Sequence, residues 1–196
     1  MRFKKYKEKY SKKAKKKPVK NKRVKDMNWI ITVTILAFFI SMAFSFLSEV
    51  IIPNVNSIIA ILIILLFIGL GIIFDMVGIA VTVADLSTFN SMSTKKVRGA
   101  ALAVKLIQNN EKASSFCNDV IGDICGIVSG SAGVALASII STSYSINIFL
   151  PTLIITAIIA AITIGGKALG KQAAINKSTY ILFKFSQVLS YFYRER

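Results

Sequence analysis

Four apolar runs set the terms for any fold this chain adopts. Residues 28–52, 58–83, 116–141 and 148–168 each carry no more than two charged side chains. A helix crosses the hydrocarbon of a bilayer with about 20 apolar residues, and there it must satisfy its backbone groups internally because no water is present to do so. The expectation is an all-α integral membrane protein with four transmembrane helices. Composition agrees: 54% of the 196 residues are hydrophobic and only 17% are charged, too apolar for an ordinary soluble domain of this length.

The charged residues that remain are unevenly placed. Of the 25 Lys and Arg, 14 fall in the first 25 residues, so the net charge of +16 mostly describes one tail. Residues 1–27 read as a basic, disordered tail, self-repelling and short of apolar side chains. A basic stretch before an apolar run resembles a signal peptide, but this run is about twice the usual apolar length and no Ala-x-Ala site closes it, so it is expected to stay attached. Pro53, Asn54, Asn56 and Ser57 form one polar turn and residues 142–147 another, and neither contains Lys or Arg. Basic residues return in the 84–115 segment, with Lys95, Lys96, Arg98, Lys105 and Lys112, and after 168. By the positive-inside rule the tail, the 84–115 segment and the C-terminus lie in the cytoplasm. The chain then reads as a multi-pass cell-membrane protein with both termini inside and a cytoplasmic helical hairpin between the second and third spans. In KKVRGAALAVKLIQ the apolar residues recur at helical spacing, which predicts one or two short amphipathic helices. Residues 169–196, with Ile181, Leu182, Phe185, Val188, Leu189 and Phe192 set against Lys177, Lys184 and Gln187, predict an amphipathic helix on the membrane surface or against a partner. Residues 28–168 form the four-helix transmembrane domain between these two flanks.

A charge in hydrocarbon costs about 2.5–3.5 kcal/mol on insertion scales, so ionisable residues within spans face a protein interior or water. Apart from Glu49 near the end of the first run, they are Asp75, Asp119, Asp123 and Lys167. On a regular helix Asp119 and Asp123 share one face. Asp119, at the start of its span, suits an ordinary interfacial carboxylate favoured by the helix dipole, whereas Asp123 lies a turn deeper. Gly122, Gly126 and Gly130 repeat every four residues beside them, a stripe that lets another helix approach closely. Lys167 either pairs with Asp123 or Asp75 or snorkels to the membrane surface. Cys117 and Cys125 form neither a zinc pattern nor a disulfide framework and read as buried apolar thiols. With no His, no GxSxG, no Walker loop and no metal-ligand cluster, the chain is not expected to be an enzyme.

The run FNSMSTKKVRGAALAVKLIQNNEKASSFCNDVIGDICGIVSGSAG, followed by ITIGGKALGKQAAINKSTYILFKFSQVLSYF, resembles the transmembrane module of the cyclin M and CorB/CorC family of magnesium transporters. The likeness covers roughly residues 62–193. In that family one membrane helix ends in a Ser-x-x-Glu-like segment, a basic hairpin leads to a helix bearing Ile-Gly-Asn-Asn, and a later helix closes with Gly-Glu-Ile-x-Pro-Lys. VIGD at 120–123 is similar to the second of these, and GKALGK at 166–171 to the third through Gly166 and Lys171. The resemblance implies a Mg²⁺ site of serine, asparagine, backbone and glutamate oxygens, and a homodimer, which the glycine stripe suits. At the matching positions stand Asp75, Asp123 and Lys167. The two aspartates are candidate metal ligands, but an ammonium cannot coordinate magnesium, which demands oxygen ligands. The implied alternative is that Lys167 forms an ion pair with Asp123, and with Asp75, in place of the metal. The family's nucleotide-sensing CBS pair has no counterpart in the sequence, so adenine-nucleotide gating is not expected.

Two functions follow. One is a CorB/CorC-like membrane protein for divalent cation transport or sensing, degenerate at its ion site. The other is a non-transporting scaffold whose residues 2–25 bind anionic lipid, at about 1 kcal/mol per basic residue near an anionic leaflet, or the phosphates of a nucleic acid.

Overall fold

The structure is a computed structural model that describes residues 19–192. Among those residues there are helices and no strands: α1 (Val19–Ile51), a 3₁₀ turn at Ile52–Asn54, α2 (Ser57–Val83), α3 (Leu86–Thr94), α4 (Ala100–Gln108), α5 (Asn110–Ser115), a π-helical segment (Phe116–Gly122), α6 (Asp123–Tyr144), α7 (Phe149–Asn176) and α8 (Ser178–Phe192). Four helical stretches are long and apolar enough to cross a membrane: Met27–Asn54, Ser57–Val83, Asn110–Tyr144 and Phe149–Asn176. The described residues are therefore helical throughout their regular structure, with four helices fit to span a membrane.

Several boundaries differ from the sequence expectation, each for a local reason. Helix α1 begins at Val19, so residues 19–27 are helical rather than tail. Extending an existing helix costs far less than nucleating one, and Lys and Arg are good helix formers. The disorder expected of residues 1–18 lies outside the described residues. Two short helices, α3 and α4, lie between the second and third spanning stretches, the third stretch begins at Asn110 rather than 116, and α7 runs on to Asn176 instead of ending at 168.

The chain divides into two compact units, Met1–Leu36 and Ala37–Arg196. In the first, the described residues belong to α1 alone. In the second, α2 is the central helix, packed against the π segment and against α5, α6, α7 and α8. Asn56 starts it by accepting a hydrogen bond from the Ile58 N–H at 3.2 Å. Its apolar residues enter two separate cores. Ala60, Ile64 and Ile68 pack with Ile52, Ala132, Leu136 and Ile159 toward one end. Toward the other, Val77, Ala80, Val81 and Ala84 pack with Phe89, Ala103, Cys117 and Leu182. Residues 69–76 of α2 lie between the two cores.

Close helix approach is carried by glycines other than those the sequence singles out. A Cβ at Gly170 would stand 2.9 Å from Met76 Cγ and 3.2 Å from Ile72 Cγ2, and one at Gly166 would press on the Ile72 side chain. One at Gly133 would press on Ile159. Gly126 and Gly130 have no atom within 4 Å of the same point. Within the chain the 122/126/130 stripe is thus not a continuous contact, and α7 seats on α2 through Gly166 and Gly170.

Two turns fix the short helices. Asp85 caps α3, accepting from the Ser87 N–H (3.1 Å), the Thr88 N–H (3.0 Å) and the Thr88 hydroxyl (2.7 Å). Those bonds, the Thr88 hydroxyl foremost, hold its carboxyl below the usual value. Gly99 adopts φ +85° before α4, and a Cβ there would lie 2.9 Å from the backbone of Ser186 and Gln187, so this turn rests directly on α8.

Two outcomes test this packing. Because Asp85 is more acidic folded than unfolded, its cap is complete above the unfolded value of about 3.9 and is lost as pH falls through the lower folded value. Amide exchange at Ser87 and Thr88 will accelerate over that acidic window in the wild type, while Asp85→Asn will show no such pH dependence. In detergent unfolding, Gly166→Leu will destabilise by about 1–3 kcal/mol through overpacking, whereas Gly130→Leu will stay within about 0.5 kcal/mol.

Candidate functional site

Asp75, Asp123 and Lys167 stand at one level between the two apolar cores. Asp75 lies eighteen residues after Ser57 on α2, and Lys167 eighteen residues after Phe149 on α7. At 1.5 Å per residue both sit about 27 Å from the start of their helices. Asp123, twenty-one residues before Tyr144 on α6, lies about 32 Å from that end, near the limit of a hydrocarbon slab about 30 Å thick. One level of the bundle therefore carries all three charges, close to the boundary where charge is tolerated.

The structure brings Lys167 and Asp123 together, with Lys167 Nζ 3.5 Å from Asp123 Oδ1. The lysine side chain is 26% exposed and the aspartate 67%, so this is a pair at the rim of the bundle rather than one sealed in its core. Asp75 comes near the same place. A Cβ on Gly122 would stand 3.7 Å from Lys167 Nζ and 3.8 Å from Asp75 Oδ1. The missing side chain at 122 is the space around which the ammonium and the second carboxylate converge. Gly122 thus serves the charged layer, while Gly126 and Gly130 do not. Asp119 is exposed, as an interfacial carboxylate would be.

Sequence reasoning missed two parts of this layer. The first is the π-helical turn at Phe116–Gly122, whose wider backbone is concentrated at functional sites in proteins generally. It ends at Gly122, immediately before Asp123. The second is Asn118 on that turn. Its side chain packs onto Gly78 of α2, where any Cβ would collide with it, and its Oδ1 is buried with no hydrogen-bond partner among the described residues. An unsatisfied buried acceptor costs about 1–3 kcal/mol. The available signal was an amide in an apolar run, four residues before a glycine.

Asp75 and Asp123 offer hard carboxylate oxygens of the kind magnesium takes. The fit fails on charge: Lys167 Nζ stands 3.5 Å from one of them, Asp123 Oδ1, and among the described residues no three His, Cys, Asp or Glu side chains group as a metal site. Both cysteines are buried free thiols. Cys125 lies beside the layer, its Cβ 3.1 Å from the point a Gly71 Cβ would occupy.

Fold and layer together define a helical membrane protein with an internally paired charge layer near one end of its spans. No family model, curated protein or solved structure matches the chain.

Removing the ammonium alone will be worse than removing the layer's charges together. In a double-mutant cycle followed by unfolding in bicelles, Lys167→Met with Asp123→Asn will give a coupling of about 0.5–1 kcal/mol, the range of a partly exposed pair. Lys167→Met in a background carrying both Asp75→Asn and Asp123→Asn will cost less than in the wild type.

Proposed function

We propose that this chain is a CorB/CorC-like cation-site membrane protein in which Lys167 takes the place of the transported or sensed divalent cation, so that the site is degenerate for magnesium. The observation that carries this reading is the position of Lys167 Nζ, 3.5 Å from Asp123 Oδ1 and, with Asp75 Oδ1, within 4 Å of the point a Gly122 Cβ would occupy. With both carboxylates ionised and the lysine protonated, the layer holds a net charge of −1, so it remains attractive to cations while its central position is taken. The helix order supports the family comparison: a span, a set of short basic helices, then two spans whose charged residues meet at one level. In this reading the basic segments face the cytoplasm, both termini are inside, the chain works as a homodimer, and no bond-making chemistry is assigned to it.

The second reading is a scaffold whose tail binds anionic lipid or nucleic acid, and the 14 basic residues among the first 25 favour it. The two are compatible, since a locked site leaves the tail as the chain's largest charged feature.

Magnesium uptake into liposomes separates them. Wild-type protein will show no uptake above empty liposomes, and Lys167→Glu, which replaces the ammonium by a further carboxylate, will gain it. Uptake by the wild type overturns the degenerate-site reading. Absence of uptake from both proteins removes the ion site from consideration and leaves the scaffold.

A further inference from the structure

Arg98 is held more rigidly than a surface arginine needs to be. Its Nε–H donates to Ser190 Oγ at 3.2 Å, and Ser190 Oγ in turn donates to the Gln187 carbonyl at 2.7 Å. The guanidinium carbon sits 3.9 Å above the centre of the Tyr191 ring, a cation–π contact that fixes the plane of the group. The next residue is Gly99, whose turn is pressed against the backbone of Ser186 and Gln187, so the main chain cannot draw the arginine away. Among the described residues Arg98 forms no ion pair.

A guanidinium has five N–H donors. With Nε–H committed to Ser190, the terminal pair is left as a preset fork, the arrangement that binds a phosphate through two parallel hydrogen bonds. Fixing it beforehand removes much of the ordering cost that a free arginine meets on binding.

The level of this fork identifies its ligand. Counting about 20 residues of hydrocarbon from Ser57 places the membrane boundary near Val77 of α2. Val77, Ala80, Val81 and Ala84 are the residues that share a core with Leu182 of α8, so α8 lies just beyond the hydrocarbon, in the headgroup layer. Its outward face carries exposed Tyr180, Lys184, Val188 and Tyr191, with Lys184 Nζ 5.9 Å from the centre of the Tyr180 ring. Tyrosines and snorkelling lysines are the side chains that sit at that depth.

We propose that Arg98, set by Ser190, Tyr191 and Gly99, is a binding site for the phosphate of an anionic phospholipid, with Lys184 on the same helix face adding attraction for the net negative headgroup. The site is separate from the charge layer and from the basic tail.

Hydrogen exchange of the full chain in nanodiscs, read by mass spectrometry, tests it locally. Peptides covering 94–100 and 186–191 will exchange about tenfold more slowly in phosphatidylglycerol discs than in phosphatidylcholine discs, as expected for a charge-assisted pair of hydrogen bonds. Arg98→Ala and Arg98→Lys will abolish most of that difference, while any lipid effect on the N-terminal tail persists as an internal control. If Arg98→Ala raises exchange throughout the protein, Arg98→Lys decides, because it keeps the charge and loses the fork. Equal protection in the two lipids, or undiminished protection in Arg98→Lys, overturns the proposal. So does equal protection by glycerol 3-phosphate added to phosphatidylcholine discs, which would make the ligand a free phosphate.

Discussion

A carboxylate eighteen residues into an apolar helix is the constraint around which the second unit is arranged. Left unmatched in hydrocarbon, Asp75 would cost several kcal/mol, and most of α2 offers it nothing but aliphatic neighbours. The nearest ammonium comes from α7, Lys167 Nζ and Asp75 Oδ1 both lying within 4 Å of the point a Gly122 Cβ would take, and it arrives because Gly166 and Gly170 let that helix settle against Ile72 and Met76, three residues before Asp75 and one after it. The glycine adjacent to Lys167 therefore does for backbone distance what the lysine does for charge. Gly122 completes the arrangement from the third helix by leaving open the volume between ammonium and carboxylate.

The layer also separates two kinds of packing. On one side Ile, Ala and Leu side chains from the spans form an aliphatic core. On the other, the short helices and α8 contribute Phe89 and Leu182, both fully buried, against the last turns of α2. Phe74 and Phe185 meet edge to face with ring centres 6.0 Å apart, placing α8 directly beneath the charged residues. What docks at the end of the bundle is thus mechanically joined to what sits inside it.

The number of spans, the polar turns and the amphipathic C-terminal helix were legible because each rests on composition or periodicity over many residues. The partner of Lys167 was not: Asp123, Asp75 and snorkelling to the membrane surface were all open, and only the 3.5 Å contact with Asp123 Oδ1 distinguishes them. The π turn was not, because a one-residue change in hydrogen-bond register leaves the hydropathy of Phe116–Gly122 unaltered. Gly122, Gly126 and Gly130 do not act as a set within the chain: spacing reports which residues share a helix face, not whether a neighbour from the same chain occupies it. The working pair, Gly166 and Gly170, has the same spacing and was visible in GKALG, but Lys167 between them drew attention to charge instead of packing. Asn118 was hidden by its company, a single amide beside a more conspicuous aspartate.

Asp75 and Lys167 stand the same number of residues into two neighbouring helices, and this has a consequence for how such a chain can change over time. A single codon gained or lost upstream in either helix would turn its charge by about 100° and slide it by about 1.5 Å, parting the two. Length variation in α2 and α7 is therefore confined to the segments beyond the layer or to matched changes in both helices, whereas the turns at 53–57 and 142–147 are free to lengthen. The charge layer acts as a ruler that keeps the two helices in step.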